Sequence, residues 1–154
     1  MAGRLAAFFR ARGVEDPEAA TSEVLLRVFR SIERFEGGER EFESWVFTIA
    51  RRLAIDEHRR TTRRPRSTEA PVPDGVAPDD PATDALDRLH GGEVRAVLDG
   101  LTDEQRDVVL LRVVADLPAE QVGEIIGKAP DAVRALQHRA LARLRRDLSQ
   151  PVTP

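Results

Sequence analysis

The sequence has no cysteine and no tyrosine, and its aromatic residues are limited to six Phe and one Trp among 154 residues. Without cysteine, disulfides, thiolate metal sites and thiol nucleophiles are all excluded. No apolar run approaches the roughly 18 residues that a membrane-spanning helix needs. Near the start, Leu5 and Phe8 are interleaved with Arg4 and Arg10, a pattern unlike the apolar core of a signal peptide. We therefore expect a cytoplasmic protein without membrane insertion.

Residues that commonly build active sites are also scarce. The three histidines, His58, His90 and His138, are scattered along the chain, without the cysteine or carboxylate clusters that suit a metal. The sequence also lacks a glycine-rich phosphate loop. We expect no enzymatic activity, no bound metal and no cofactor.

Lysine is nearly absent as well, because 23 of the 24 basic residues are Arg and the exception is Lys128. The net charge of −3 hides a strong separation of charge along the chain. Residues 51–66 contain seven Arg and two acids, residues 67–93 contain one Arg and seven acids, and residues 132–146 contain five Arg and no acid. Clustered positive charge of this kind indicates contact with nucleic acid.

The middle of the chain separates two helical segments. Five of the ten prolines fall within residues 61–85, and the acidic, apolar-poor composition predicts a flexible linker over residues 62–91. The apolar period is helical on both sides, and no segment alternates convincingly as a strand. We therefore predict an all-α fold with a three-helix domain over residues 1–61, a four-helix domain over 92–148 and a disordered tail over 149–154.

The first domain is predicted to contain helices at about residues 2–12, from Asp16-Pro17 to before Gly37, and at about 42–60. Asp16 followed by Pro17 is typical of a helix N-terminus. Apolar residues recur with a helical period at Leu25, Val28, Phe29 and Ile32, and again at Phe42, Trp45, Val46, Ile49 and Leu53. The opposite side of the third helix is charged, with Arg52, Asp56, Arg59, Arg60 and Arg63.

The third helix also holds candidate DNA contacts. Because Trp45 belongs to the apolar stripe, we interpret it as a core residue, with stacking on unpaired bases as the alternative. The arginines that suit a phosphate backbone are Arg51, Arg52, Arg59 and Arg60.

The second domain is predicted to contain helices at about residues 92–99, 103–115, 118–126 and 130–147. Thr102, with Gln105 three residues later, has the pattern of a capping box. Residues 118–140 have the spacing of a helix-turn-helix, in which Gly123 permits close helix approach and Gly127 suits the turn. The apolar anchors would be Val122, Ile126, Val133 and Leu136. A plain helical hairpin is the alternative.

One side of the last helix carries residues suited to a DNA major groove, namely Arg134, Ala135, His138 and Arg139. An arginine there can donate two hydrogen bonds to guanine. Arg143, Arg145 and Arg146 suit either the phosphate backbone or a merely solvated surface.

Two segments together resemble the extracytoplasmic-function branch of the sigma-70 family. WVFTIARRLAIDEHRR, at residues 45–60, resembles its region 2. LTDEQRDVVLLRVVADLPAEQVGEIIG, at residues 101–127, with AVRALQHRALARLRR, at residues 132–146, resembles its region 4. The order of the two segments and the acidic linker between them also fit.

The resemblance implies roles that composition does not. Region 2 would bind core RNA polymerase through the helix at residues 16–34, and would hold the unpaired −10 promoter element near residues 35–41 and the start of the third helix. Region 4 would read the −35 element as a duplex, and an anti-sigma factor would mask both domains. The candidate polymerase contacts are Glu23, Arg27 and Arg30, and Lys128 joins Arg134, Ala135, His138 and Arg139 as a candidate −35 contact.

A helix-turn-helix regulator that binds promoter DNA without polymerase is the alternative function. Such a regulator has no need of a separate domain with a tryptophan-containing, arginine-faced helix. The predicted function is therefore a sigma factor, with core RNA polymerase and promoter DNA as its partners.

Overall fold

A computed structural model of the protein describes residues 1–63 and 91–149. Every regular element within these ranges is helical, which confirms the all-α prediction. The seven α-helices are α1 (Ala2–Arg12), α2 (Pro17–Ser31), α3 (Glu39–Arg63), α4 (Gly91–Asp99), α5 (Asp103–Val109), α6 (Ala119–Ile126) and α7 (Pro130–Ser149). Nearly all of the predicted linker, and the predicted tail after Ser149, lie outside the described residues.

The N-terminal helices begin and end where local chemistry dictates. The backbone N–H of Ala19 donates to Asp16 Oδ1 at 2.9 Å, so Asp16 caps α2 as predicted, and Pro17 occupies the first turn, where its missing N–H costs nothing. Gly13 ends α1 in the left-handed region at φ 84°, and its N–H donates to the Arg10 carbonyl. Both caps depend on only a few adjacent residues, which is why the sequence predicts the one at Asp16.

Most of the residues that α2 buries differ from the large apolar residues of its predicted stripe. Its buried residues are Ala20, Thr21, Val24 and Val28. Leu25, Phe29 and Ile32 are exposed, and 77% of the Phe29 surface is accessible. The helical period was correct, but smaller side chains face α1 and α3. The larger residues remain on the outer surface.

The third helix is longer than predicted and buries more than its predicted stripe. It begins at Glu39 and continues to Arg63. Val46 and Leu53 are buried as expected, and so are Phe47 and Ala50, which lie beside the stripe. Phe47 meets Phe8 edge-on at 6.1 Å between ring centroids, which ties α3 to α1.

In the C-terminal half, the predicted helix at 103–115 is divided. Thr102 and Gln105 form the predicted capping box at the start of α5. From Leu110 to Val114 the chain widens into one π-helical turn, and Asp116 follows with φ 54°. This change of pitch directs the chain toward α6.

The predicted helix-turn-helix is formed by α6 and α7. A Cβ atom on Gly123 would lie 2.4 Å from the backbone oxygen of Lys128, so only glycine permits this close approach. Gly127 takes the left-handed conformation at φ 75° that ends α6. Val133 and Leu136 are buried, as their predicted anchoring role requires.

The two halves also pack against each other. Helix α1 contacts α4 and the π-helical turn, while α3 packs along α6. Arg4 Nε donates to the carbonyl oxygen of Ala115 at 2.9 Å across this contact. The predicted domains thus form one continuous apolar core in this structure.

Candidate nucleic-acid interface

The predicted reading face of α7 is exposed. Arg134, Ala135, His138 and Arg139 are all accessible, while Val133 and Leu136 on the other side of the helix are buried. A convex helix with this division can enter a major groove while its apolar side holds it on α6. The structure therefore brings these four candidate residues together on one surface.

Two carboxylates form ion pairs with Arg134, the first arginine of this face. Arg134 Nη2 lies 2.6 Å from Glu120 Oε1, and Arg134 Nη1 lies 3.2 Å from Asp131 Oδ1. A hydrogen bond with its own backbone, and then the bond with Arg134, lower the pKa of Glu120. Sequence reasoning missed Glu120, because it lies 14 residues from Arg134 and meets it only through the helix-turn-helix.

Lys128 is separate from the reading face. It lies in the turn between α6 and α7, and its Nζ is 3.4 Å from Glu104 Oε1 on α5. Its side chain is only partly accessible, at 35%. Lys128 thus forms an ion pair within its own half of the chain, although the sequence analysis predicted it as a contact to the −35 element.

Three of the four arginines predicted on α3 lie on its outer side. Arg52, Arg59 and Arg60 are exposed along the same helix. Arg60 also approaches Glu57, with 3.9 Å between Nη1 and Oε1. An exposed row of guanidinium groups is suited to a phosphate backbone.

Arg51 does not belong with them. Its Nε lies 2.9 Å from Asp107 Oδ2 on α5, and Arg12 from α1 forms an ion pair with the other oxygen of the same carboxylate. Desolvation by burial lowers the pKa of Arg51. Arg51 points away from the exposed row because adjacent helical residues are about 100° apart around the axis. The sequence carried no signal of this contact, which joins residues 56 positions apart.

An aromatic cluster and several arginines line a cavity of about 760 Å³ between α2 and α3. Phe35 stacks on Trp45 with ring centroids 5.0 Å apart and an interplanar angle of 11°, and Phe42 meets Trp45 edge-on. The cationic residues of the cavity wall are Arg27, Arg30, Arg34 and Arg52. Trp45 is therefore half-buried, and it serves both packing and the cavity wall. Aromatic rings beside guanidinium groups are suited to unpaired bases and their phosphates.

The outer surface of α2 combines charged and apolar residues. Glu23 and Arg27, two candidate polymerase contacts, pair with each other at 2.9 Å between Oε1 and Nε. Arg30, the third, is exposed and faces the cavity. Beside them lie Leu26 and Phe29, which are also exposed. The sequence analysis gave Phe29 only as one residue of the apolar period, and Leu26 was not singled out. A cluster of large exposed apolar side chains marks an interaction surface.

Metal sites and membrane spans are both absent from the described part of the chain. Within residues 1–63 and 91–149, no group of three or more His, Cys, Asp or Glu side chains is arranged to hold a metal ion. In the same ranges, every helix is too short or too polar to cross a membrane.

Comparison with known proteins assigns a family to each half. The family model for sigma-70 region 2 matches residues 3–64, and the model for sigma-70 region 4 matches residues 97–146. The chain is 37% identical over 132 residues to the ECF RNA polymerase sigma factor ShbA of Streptomyces griseus, covering 83% of this chain and 69% of that protein. It spans 53% and 51% of the length of two further curated ECF sigma factors.

Solved structures support the fold. CnrH, in a complex with the cytosolic domain of CnrY, matches with a TM-score of 0.70 at 19% identity, over 94% of this chain and 80% of that one. The sigma factor RpoE of Bartonella quintana, in a complex with the anti-sigma factor NepR, matches with a TM-score of 0.66 at 20% identity, over 94% of this chain and 89% of that one.

Proposed function

Since the chain belongs to the extracytoplasmic-function (ECF) family of RNA polymerase sigma factors, we propose that it binds core RNA polymerase and directs promoter recognition through two DNA-binding surfaces of different chemistry. The observation that carries this proposal is the contrast between an exposed reading helix in region 4 and an aromatic, arginine-lined cavity in region 2. We place its action in the cytoplasm, with the polymerase.

Region 4 reads the −35 element as a duplex. Helix α7 presents Arg134, Ala135, His138 and Arg139 on one exposed side, and the close approach of the Lys128 backbone to Gly123 of α6 holds the two helices together. Arg134 supplies the base contact, because a guanidinium can donate two parallel hydrogen bonds to guanine. Ala135 allows the helix backbone to approach the bases closely.

Region 2 captures the −10 element after strand separation. The stacked rings of Phe35 and Trp45 give an unpaired base a surface on which to stack. Arg34 and Arg52 in the cavity wall neutralise the phosphates on either side. The cavity is open and concave, so it suits a displaced base better than a continuous duplex.

Polymerase binds the outer surface of α2. Phe29 and Leu26 supply exposed apolar area, while Glu23, Arg27 and Arg30 supply charges around it. An apolar centre with a polar rim is the usual composition of a protein interface. An anti-sigma factor is the proposed negative regulator, by analogy with the complex of RpoE and NepR.

The test combines the protein with core polymerase and a genomic promoter library, and maps transcript starts. We expect a set of starts that depends on this chain and shares sequence near −35 and −10. Starts that appear equally with core polymerase alone would contradict the proposal. Binding to promoter DNA without any effect on core polymerase would support the regulator alternative instead.

A further inference from the structure

Three arginines from one helix face line the cavity between α2 and α3. Arg27, Arg30 and Arg34 are spaced at i, i+3 and i+7, so they follow one side of α2 and of the short 3₁₀ turn, Ile32–Arg34, that continues it. Together they span about 10 Å along the helix at 1.5 Å per residue. All three are exposed. The cavity therefore has a cationic wall on its α2 side.

The opposite wall follows one face of α3. Trp45, Ile49 and Arg52 line the cavity at i, i+4 and i+7 of that helix. Trp45 and Ile49 are half-buried, whereas Arg52 is exposed. Phe35, from the loop between the two helices, stacks its ring on Trp45. This wall is thus aromatic and apolar at one end and cationic at the other.

Most of the guanidinium groups around the cavity lack a neutralising carboxylate. Arg27 has an ion-pair partner on α2. In the part of the chain that the structure describes, Arg30, Arg34 and Arg52 form no ion pair. The lining residues include one acid, Glu36. Because a concave surface with charge of one sign concentrates counter-ions, we expect this cavity to attract a compact anion.

The size and composition of the cavity suit a nucleotide. Its volume of about 760 Å³ lies within the roughly 300–1,000 Å³ that is usual for small-molecule sites. Arginine can bind phosphate through two parallel hydrogen bonds, and aromatic rings stack on bases. A nucleotide within a DNA strand supplies one phosphate, whereas a nucleoside triphosphate supplies a chain of three beside its base. Several unpaired arginines next to one aromatic pair match the second ligand more closely.

We propose that this cavity also binds a free nucleoside polyphosphate. The base stacks on the rings of Phe35 and Trp45, and the phosphates lie along Arg30, Arg34 and Arg52. A bound nucleotide occupies the surface proposed for the −10 strand, so the two ligands compete. The competition rests on the proposed function, because it needs a cavity that holds this strand. Binding of the nucleotide to the free chain does not depend on that function.

The intrinsic fluorescence of the protein reports on this site, because Trp45 is the only tryptophan and the chain has no tyrosine. The full chain without polymerase is titrated with ATP and with GTP, and free tryptophan treated in the same way corrects for light that the nucleotide absorbs. At least one nucleotide should quench Trp45 to a saturating value. If neither does, the proposal is overturned.

Two simpler probes separate the base from the phosphates. The nucleoside of the nucleotide that binds supplies the base alone, and inorganic triphosphate supplies the phosphates alone. Competition with the nucleotide gives the affinity of each probe. Both should bind about tenfold more weakly or less, because each lacks one set of contacts. Inorganic triphosphate that binds as tightly as the nucleotide would contradict the proposal, since the cavity would then be a general anion site.

The variant Arg34→Ala tests the cationic wall. It should weaken nucleotide binding about tenfold or more, because hydrogen bonds between charged groups are the strong ones. Arg30→Ala, which removes another exposed arginine of the same wall, should act in the same direction. Arg145→Ala is the matched control, since it removes an exposed arginine from α7 and should leave nucleotide affinity unchanged. Circular dichroism should report equal helix content in all three variants, and equal nucleotide affinity in all three would overturn the proposal.

Displacement of DNA from the holoenzyme separates this inference from the proposed function. A labelled single strand that carries the −10 element is bound to the holoenzyme, and its anisotropy is followed as nucleotide is added. The nucleotide should displace the strand, and a holoenzyme that carries Arg34→Ala should need about tenfold more of it. Nucleotide sites on the polymerase itself are the same in both holoenzymes. Absence of displacement would overturn the proposed competition, whereas a strand that never binds would count against the proposed function and leave quenching of the free chain as evidence for the nucleotide site.

Discussion

Region 4 and region 2 carry their exposed arginines on surfaces of opposite shape. In region 4, Arg134 projects from a convex helix and is held by the carboxylates of Glu120 and Asp131. In region 2, arginines surround a concave cavity whose wall includes the stacked rings of Phe35 and Trp45. A convex rigid helix suits the groove of a duplex, whereas a cavity with aromatic walls suits unpaired bases. Under the proposed function, similar charge would therefore serve two kinds of DNA because of the shape of the surface that carries it.

The largest expected effect tests whether region 4 depends on the close approach of the chain to Gly123. Gly123→Ala would put a Cβ atom 2.4 Å from the Lys128 carbonyl oxygen, and we expect a loss of about 3 kcal/mol in the free energy of unfolding of this region. Urea denaturation followed by circular dichroism measures it. Gly127→Asn is the control, because asparagine tolerates a positive φ and a Cβ there meets no atom within 4 Å. Equal stability of the two variants would contradict the packing argument.

A second variant tests the aromatic wall of region 2. Trp45→Ala should weaken binding of the holoenzyme to a single-stranded −10 oligonucleotide by about 1–3 kcal/mol, since that is the usual contribution of stacking one base. Trp45→Phe keeps a ring and should retain most of the affinity. Fluorescence anisotropy gives both values. Unchanged affinity of the alanine variant would show that bases do not stack at this cavity.

The matching variant in region 4 is Arg134→Ala. It should cost about 1–3 kcal/mol on a duplex −35 element and should relax sequence preference at the contacted base pair. The comparison uses the same element and a scrambled duplex at one fixed salt concentration. An equal loss on both duplexes would mean that Arg134 contacts only the phosphate backbone.

The smallest expected effect concerns the carboxylate that holds Arg134. Glu120→Gln should leave Arg134 paired with Asp131 alone and raise affinity for scrambled duplex only slightly, because exposed ion pairs contribute little. Glu124→Gln removes an exposed carboxylate from the same helix and controls for the general change in charge. If both variants raise affinity equally, Glu120 acts only through its charge and not by holding Arg134.

Local chemistry made much of the fold predictable from sequence. The caps at Asp16 and Thr102 and the close approach at Gly123 each depend on a few adjacent residues, and all three were predicted correctly. The division of α7 into a buried side and an exposed side was also predicted, because its apolar and polar residues separate cleanly at a helical period.

Features that depend on distant residues were not predictable. Arg51 looked like its neighbour Arg52, and only its contact with Asp107, 56 positions away, distinguishes the two. Phe29 has the spacing of a core residue, yet it lies on the outer surface because smaller residues of α2 face the other helices. The π-helical turn after α5 was not predicted either, because residues 103–115 have the period of one continuous helix.

A crossed binding experiment tests the division between the two regions most directly. The holoenzyme with the unmodified chain, Trp45→Ala or Arg134→Ala is titrated with a duplex that carries only the −35 element and with a single strand that carries only the −10 element. We expect Arg134→Ala to weaken binding to the duplex alone and Trp45→Ala to weaken binding to the single strand alone. Equal losses on both probes for either variant would contradict this division between the two regions.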